Sequence, residues 1–209
     1  VAGSGCYGRN GHEDCTADAA LVSMLAGAPV RVQWMREDEH GWDPKSPPTL
    51  VDMEGGIDAG GQVTAWRSEF FIAHRVGTLD DFPLLAATLS GVPRKGNYTG
   101  NLENNAEPPY AFPNALTEVH RLNNNMLRTS HLRTPGRMQN TFANEVFVDE
   151  LAAAAGADPF RFRLKYLTDP RGQTALSTAA RLAGGETRTS PKADRDKGNI
   201  ARGRGMAYV

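Results

Sequence analysis

Two short stretches of this sequence carry residue types that could do chemistry. They are Gly3-Ser4-Gly5-Cys6-Tyr7-Gly8-Arg9-Asn10-Gly11 and His131-Leu132-Arg133-Thr134-Pro135-Gly136-Arg137-Met138-Gln139. Each is a glycine-bearing turn ahead of a segment with helical periodicity. Glycine lets a backbone take positive φ or approach another body closely, and a helix N-terminus offers unpaired N–H groups and the positive end of a dipole. Both turns therefore suit an anion such as a phosphate or an oxo group, and both are also compatible with a plain tight turn. A third stretch, Arg36-Glu37-Asp38-Glu39-His40, gathers three carboxylates and an imidazole. Such a set could hold a divalent ion for a hydrolase, or it could be a solvated charged turn. His12, Glu13 and Asp14 are a further candidate set for the same hydrolytic chemistry.

The elements that must position these stretches can be read from periodicity. A helix is expected from His12 to Ala26, with Ala17, Ala20, Leu21, Met24 and Leu25 on one face and Gly27 as its C-cap. Pro29 to Met35 alternates as a strand would, and Thr49–Ile57 and Gln62–His74 flank Asp58-Ala59-Gly60-Gly61 as a β-hairpin. Trp66 and the phenylalanines after it read as core, and Pro108 to Pro113 as a loop anchored by Tyr110 and Phe112. Leu116 to Leu122 reads as a short strand with His120 half buried in it.

From Asn140 to Ala155 a helix is expected with an apolar stripe of Phe142, Ala143, Val146, Phe147 and Leu151, and with Asn144, Glu145, Asp149 and Glu150 off it. Gly156 should cap that helix. Asp158-Pro159 should start the next one, burying Phe160, Leu164 and Leu167 and turning Arg161, Arg163 and Lys165 elsewhere. Arg171 to Ala183 reads as one more helix, followed by a polar connector from Gly184 to Gly203. The fold class is α+β, with mixed sheets packed against helices.

Composition excludes several functions. With 209 residues, of which 40% are apolar, the chain can bury a real core. A net charge of −1 gives no general pull toward nucleic acid or a membrane surface, and no apolar run approaches the length that spans a bilayer. Two cysteines, Cys6 and Cys15, are too few for a disulfide framework or a cysteine-rich zinc site. Val1 and the Gly203–Val209 ending read as cuts in a longer polypeptide.

Four landmarks in order resemble the large, molybdopterin-binding subunit of the xanthine dehydrogenase and aldehyde oxidase family of molybdenum hydroxylases. Gly5-Cys6-Tyr7-Gly8 is similar to that family's glycine-rich loop beside molybdenum. Pro29-Val30-Arg31 through Glu39 is similar to its proline–valine–arginine segment and acidic turn, and Arg133-Thr134-Pro135-Gly136 to its arginine and glycine turn at the cofactor. Phe142-Ala143-Asn144-Glu145 to Ala152, then Gly156-Ala157-Asp158-Pro159 and Arg163, resembles its helix and the motif that follows. Cys6-Tyr7-Gly8 with Asn10-Gly11 and Glu13-Asp14 looks most like the bacterial branch of nicotinate dehydrogenases and isoquinoline oxidoreductases.

The resemblance implies an oxidoreductase subunit that binds molybdopterin, as the cytosine dinucleotide, carrying molybdenum. Gly5, Cys6, Tyr7, Gly8, Arg133, Thr134 and Gly136 would be cofactor-binding, and Tyr7, Lys45 and Pro135 would lie toward substrate. No side chain of the chain is expected to ligate the metal. The family's general-base glutamate is expected outside this sequence, so the chain by itself should be inactive. The implied reaction is hydroxylation of an N-heteroaromatic ring or oxidation of an aldehyde with water as oxygen donor. Electrons would pass to iron–sulfur, flavin or haem groups on partner subunits or domains. Gly11 and Pro135 stand where purine-oxidising members carry a glutamate and an aromatic, which speaks against a purine. The implied domains are a first molybdopterin-binding domain over 1–168, a helix and polar connector over 169–198, and the start of a second molybdopterin-binding domain at 199–209. The compartment stays open between bacterial cytoplasm and periplasm. A non-catalytic anion- or nucleotide-binding module is the other alternative, beside the hydrolase built on residues 37–40.

Overall fold

The computed structural model describes residues 14–43, 45–73, 102–122, 129, 133–192, 198–200 and 202–209. Among these, helices α1 (Asp14–Ala26) and α2 (Arg36–Trp42) precede strands β1 (Thr49–Ile57), β2 (Val63–Ala73) and β3 (Ala115–Leu122). Helices α3 (Arg137–Ala154), α4 (Pro159–Tyr166) and α5 (Pro170–Leu182) follow, so the fold is α+β as expected. The chain divides into two compact units. One comprises Val1–Thr49, Phe71–Leu102 and Arg121–Gly136, and the other Leu50–Phe70, Glu103–His120 and Arg137–Val209.

The second unit is built on the sheet, in the order β1-β2-β3. Asp58 starts the hairpin turn: its Oδ1 accepts from Gly60 N at 2.9 Å and Gln62 N at 2.8 Å, while Gly61 takes φ +74. This is the local trap that aspartate offers a backbone two residues on. Strands β1 and β2 are therefore antiparallel. Along β2 and β3 the partners rise together, from Trp66 N with Asn114 O, through Ser68 with Thr117, to Glu69 with His120. That pairing is parallel, which a tight turn cannot make, and the long segment between the two strands supplies the crossover.

One sheet face carries Trp66, stacked on Phe112 with centroids 5.0 Å apart, and Phe112 in turn meets Tyr166 at 4.9 Å. Val148, Leu151, Ala152, Phe162, Leu167 and Leu176 complete this core. The loop residues Tyr110 and Phe112 are buried, as the sequence predicts. Helix α3 lies close against β1 at Gly55, where a Cβ would sit 2.8 Å from Leu151 Cδ2. On the other face Arg67 bonds Glu69 at 2.7 Å, and His120 meets Glu69 at 2.8 Å while remaining partly exposed.

Helix α3 corrects the expected stripe. Phe142 is 70% exposed and Val146 40%, whereas Asn140, Asn144 and Glu145 are buried with Val148, Leu151 and Ala152. The reason is that this face holds an irregular backbone as well as a core. Asn140 Nδ2 donates to Asn104 O at 3.0 Å, and Asn144 Nδ2 to Asn105 O at 2.9 Å and Ala106 O at 3.0 Å. A segment without ladder partners needs its carbonyls met by side chains when buried. Glu145 Oε1 accepts the Tyr110 hydroxyl at 2.8 Å, and burial first, then Glu145, pushes that phenol far above its ordinary value.

Arg163, expected to point away from the core, is instead fully buried. Its Nε donates to Glu145 Oε2 at 2.8 Å, its Nη2 to Glu145 O at 3.0 Å, and its Nη1 to Asp149 Oδ1 at 2.5 Å. Burial pulls its pKa down, but Asp149 and Glu145 outweigh burial and the net direction is up. The caps follow the sequence: Gly156 sits at φ +62, and Asp158 accepts from Arg161 N at 2.9 Å with Pro159 opening α4. Asp169 Oδ1 and Oδ2 accept from Arg171 N and Gly172 N to start α5.

In the first unit, α1 ends at Gly27 with φ +60, as expected. Its apolar residues do not form a buried face: Met24 and Leu25 are each 80% exposed. Residues 29–35 form no ladder among the described residues, so the expected strand is an extended connector. Trp34 Nε1 fastens it to Asp18 Oδ2 at 3.1 Å. The acidic run expected as a turn is helix α2.

Candidate functional site

The described part of the expected site lies in the first unit. In the turn Arg133–Gly136, Thr134 takes φ +61 and Gly136 takes φ +71, on either side of Pro135 with its ring-restricted negative φ. Positive φ is ordinary for glycine but a genuine outlier for a β-branched residue. The Thr134 hydroxyl is spent on the turn itself, donating to Arg133 O at 2.5 Å. Gly136 is buried, while Arg133 and Thr134 are exposed. Pro135 has no N–H, so the backbone donors that this turn can offer an anion are those of Thr134 and Gly136.

Thr129 lies four residues before this turn and bridges Lys45 in parallel. It is 2% exposed, and its Oγ1 finds no hydrogen-bond partner among the described residues. Nothing in the type or spacing of Thr129 distinguishes it from any strand threonine, so sequence reasoning does not find it. Lys45, expected toward substrate, uses its ammonium to close α2: Nζ donates to His40 O at 2.7 Å and Asp43 O at 2.9 Å. A lysine at a helix C-terminus meets the negative end of the dipole. Gly5, Cys6, Tyr7 and Gly8 lie outside the described residues.

The hydrolase alternative loses its centre. Glu37, Asp38 and Glu39 fill the first turn of α2, where carboxylates offset the helix dipole, and Asp38 Oδ2 accepts Met35 N at 2.9 Å. Among the described residues no group of three or more His, Cys, Asp or Glu is placed to hold a metal ion; His12 and Glu13 lie outside them. Cys15 is held against thiolate chemistry, since burial and then neighbouring aspartates raise its pKa, against a lowering contribution from the Trp34 N–H. No helix among the described residues is long and apolar enough to cross a membrane.

Residues 5–167 match the family model of the molybdopterin cofactor-binding domain. The chain is 36% identical over 207 residues to a nicotinate dehydrogenase subunit of Pseudomonas putida, covering 99% of this chain and 17% of that protein. It is 27% identical over 188 residues to the beta subunit of isoquinoline 1-oxidoreductase from Brevundimonas diminuta, covering 89% and 23%. Among solved structures, the aldehyde oxidoreductase of Desulfovibrio gigas superposes with a TM-score of 0.62 at 20% identity, over 86% of this chain and 20% of that one. Quinoline 2-oxidoreductase of Pseudomonas putida 86 gives 0.65 at 16% identity, over 87% and 24%. The structural likenesses establish the fold, and the chain spans roughly a fifth of the length of these proteins. With most of its length inside the matched region, this chain belongs to the molybdopterin cofactor-binding domain family.

Proposed function

We propose that this chain supplies one wall of a molybdenum-cofactor site in an oxidoreductase subunit that hydroxylates an N-heteroaromatic ring or oxidises an aldehyde, with water as oxygen donor. The observation that carries the reading is the turn at Thr134. Strain of this kind persists where surrounding structure over-determines it, and it clusters at ligand sites. Here it falls on the landmark Arg133–Gly136 that the family resemblance singles out.

The residues present suit an oxygen-rich, anionic group. The turn offers backbone donors beside the guanidinium of Arg133, and Thr129 adds a buried hydroxyl without a partner among the described residues. When bound, molybdopterin supplies the redox and oxygen-transfer chemistry. This chain holds and orients it: Arg133, Thr134 and Gly136 from this turn, and Gly5, Cys6, Tyr7 and Gly8 from the N-terminal loop. Donors fixed by a rigid turn act without reorganising. Tyr7, Lys45 and Pro135 lie toward the substrate, with the Lys45 ammonium oriented by the carbonyls of His40 and Asp43.

The cofactor is the cytosine dinucleotide form, and electrons leave to iron–sulfur, flavin or haem groups on partner subunits or domains. The first domain ends at 168, followed by a helix and polar connector over 169–198 and the start of a second cofactor-binding domain at 199. The test is to purify the complete subunit, measure molybdenum and released cytosine nucleotide, and assay nicotinate-like rings against aldehydes. Molybdenum and nucleotide in equal amount with turnover of one substrate class is the expected result. A folded, complete subunit without molybdenum overturns the reading.

A further inference from the structure

Helix α5 ends on two consecutive left-handed glycines, Gly184 at φ +98 and Gly185 at φ +58. Gly185 N donates to Ala180 O at 2.9 Å and Gly184 N to Arg181 O at 3.2 Å, the paired closing bonds that turn a chain off the end of a helix. Three residues on, Arg188 N donates to Asp158 Oδ2 at 2.9 Å, across 30 residues of sequence. The other oxygen of that carboxylate, Oδ1, accepts Arg161 N at 2.9 Å and caps α4. One side chain thus holds both the start of α4 and the chain leaving α5. A polar connector of the kind the sequence predicts from Gly184 onward is ordinarily a solvated tether.

We infer that the first part of the connector is a fixed elbow: residues 184–188 are carried by α4 and α5 as one body, with Asp158 as the anchor. Three features support this. A Cβ added at Gly185 would meet nothing within 4 Å, so the residue is glycine for its backbone conformation and not for want of space. The bond that holds Arg188 N runs to a carboxylate, and hydrogen bonds to ionised acceptors are the stronger class. Phe162 and Tyr166 of α4 share one core with Leu176 of α5, so the two ends that Asp158 joins are already fixed against each other. Every group in this arrangement lies between residues 158 and 188, within the second unit. Only the sequence after Arg188 is then left to act as a tether.

Hydrogen exchange on the complete subunit tests this. Asp158→Ser keeps a favourable capping oxygen for α4 but has no second oxygen for Arg188. The Arg188 amide should then exchange on the order of tenfold faster. The amides of Phe162 and Leu167, bonded to Asp158 O and Arg163 O, should keep their protection. Gly185→Val leaves the carboxylate intact and strains only the reversal, and it should speed exchange at Arg188 to a similar degree. Unchanged exchange at Arg188 in either variant overturns the proposal. Parallel loss of protection at Phe162 and Leu167 in Asp158→Ser also overturns it, since Asp158 would then be a helix cap and no more.

Discussion

Arg163 and Glu145, on different helices, form a buried ion pair in which the guanidinium reaches both the carboxylate, at 2.8 Å, and the peptide carbonyl, at 3.0 Å, of the same residue. A side chain that grips another residue at two levels fixes the rotation of α3 against α4. It also explains why polar Glu145 lies inward.

Removing Glu145 leaves the buried Arg163 with Asp149 as its remaining counter-charge and the buried Tyr110 hydroxyl without its acceptor. Glu145→Ala should therefore destabilise the protein by about 3–5 kcal/mol. The double variant Glu145→Leu/Arg163→Met should recover only part of that loss, because apolar groups replace both members of the pair while the buried Tyr110 hydroxyl still lacks its acceptor. Urea unfolding of the single and double variants checks the order.

Asn144 serves two carbonyls with one amide nitrogen. Asn144→Ala leaves Asn105 O and Ala106 O without that donor and should cost about 1–3 kcal/mol. Asn144→Leu should be no milder, since added apolar volume does not replace a donor. Thermal unfolding distinguishes this from a purely steric role, in which leucine would rescue.

The turn at Thr134 makes a prediction of opposite sign. Thr134→Gly should stabilise by about 1–2 kcal/mol, because glycine reaches φ +61 without the Cβ penalty. Gly136→Val should destabilise by a similar amount, about 1–2 kcal/mol. In the complete subunit it should also reduce molybdenum content, whereas Thr134→Gly should preserve it. Metal analysis paired with melting temperatures separates the two effects.

The Tyr208–Asp169 bond should have a flat working range bounded on both sides. The Tyr208 hydroxyl, then the Arg171 and Gly172 N–H groups, hold Asp169 below its ordinary pKa, so its contribution is present above that ordinary value and is lost as pH falls through the lowered one. Asp169 raises Tyr208, so that contribution is present below the ordinary tyrosine value and is lost as pH rises through the raised one. Seating should be constant between roughly pH 4 and pH 10 and weaken outside. Tyrosinate absorbance should show one late-titrating group that Tyr208→Phe removes, with Tyr110 ionising only on unfolding.

Much of the architecture is legible in the sequence because local rules and tertiary outcome agree. Asp58 through Gly61 encode the hairpin, and Gly156 with Asp158-Pro159 encodes the break between α3 and α4. The polarity of α3 is not legible, since amphipathic reasoning assumes that the buried face is apolar. Asn140, Asn144 and Glu145 face inward because a neighbouring backbone needs donors, a demand invisible in the helix's own periodicity. Arg163 stands out in the sequence only as the last residue of the Gly156–Arg163 motif, with no hint that it is buried. The same blindness applies to residues 29–35, where Val30, Val32 and Trp34 alternate without a partner strand among the described residues. At the site, residue types suggest an anion turn, but only coordinates reveal that Thr134 rather than a glycine carries the first left-handed step.

The asparagines of α3 also decide where sequence drift is tolerated. Carbonyl oxygens are common to every amino acid, so Asn140 and Asn144 read the path of residues 104–106 without reading their side chains. Position 105, at φ +60, should accept asparagine or glycine, and position 106, 1% exposed, only a small residue.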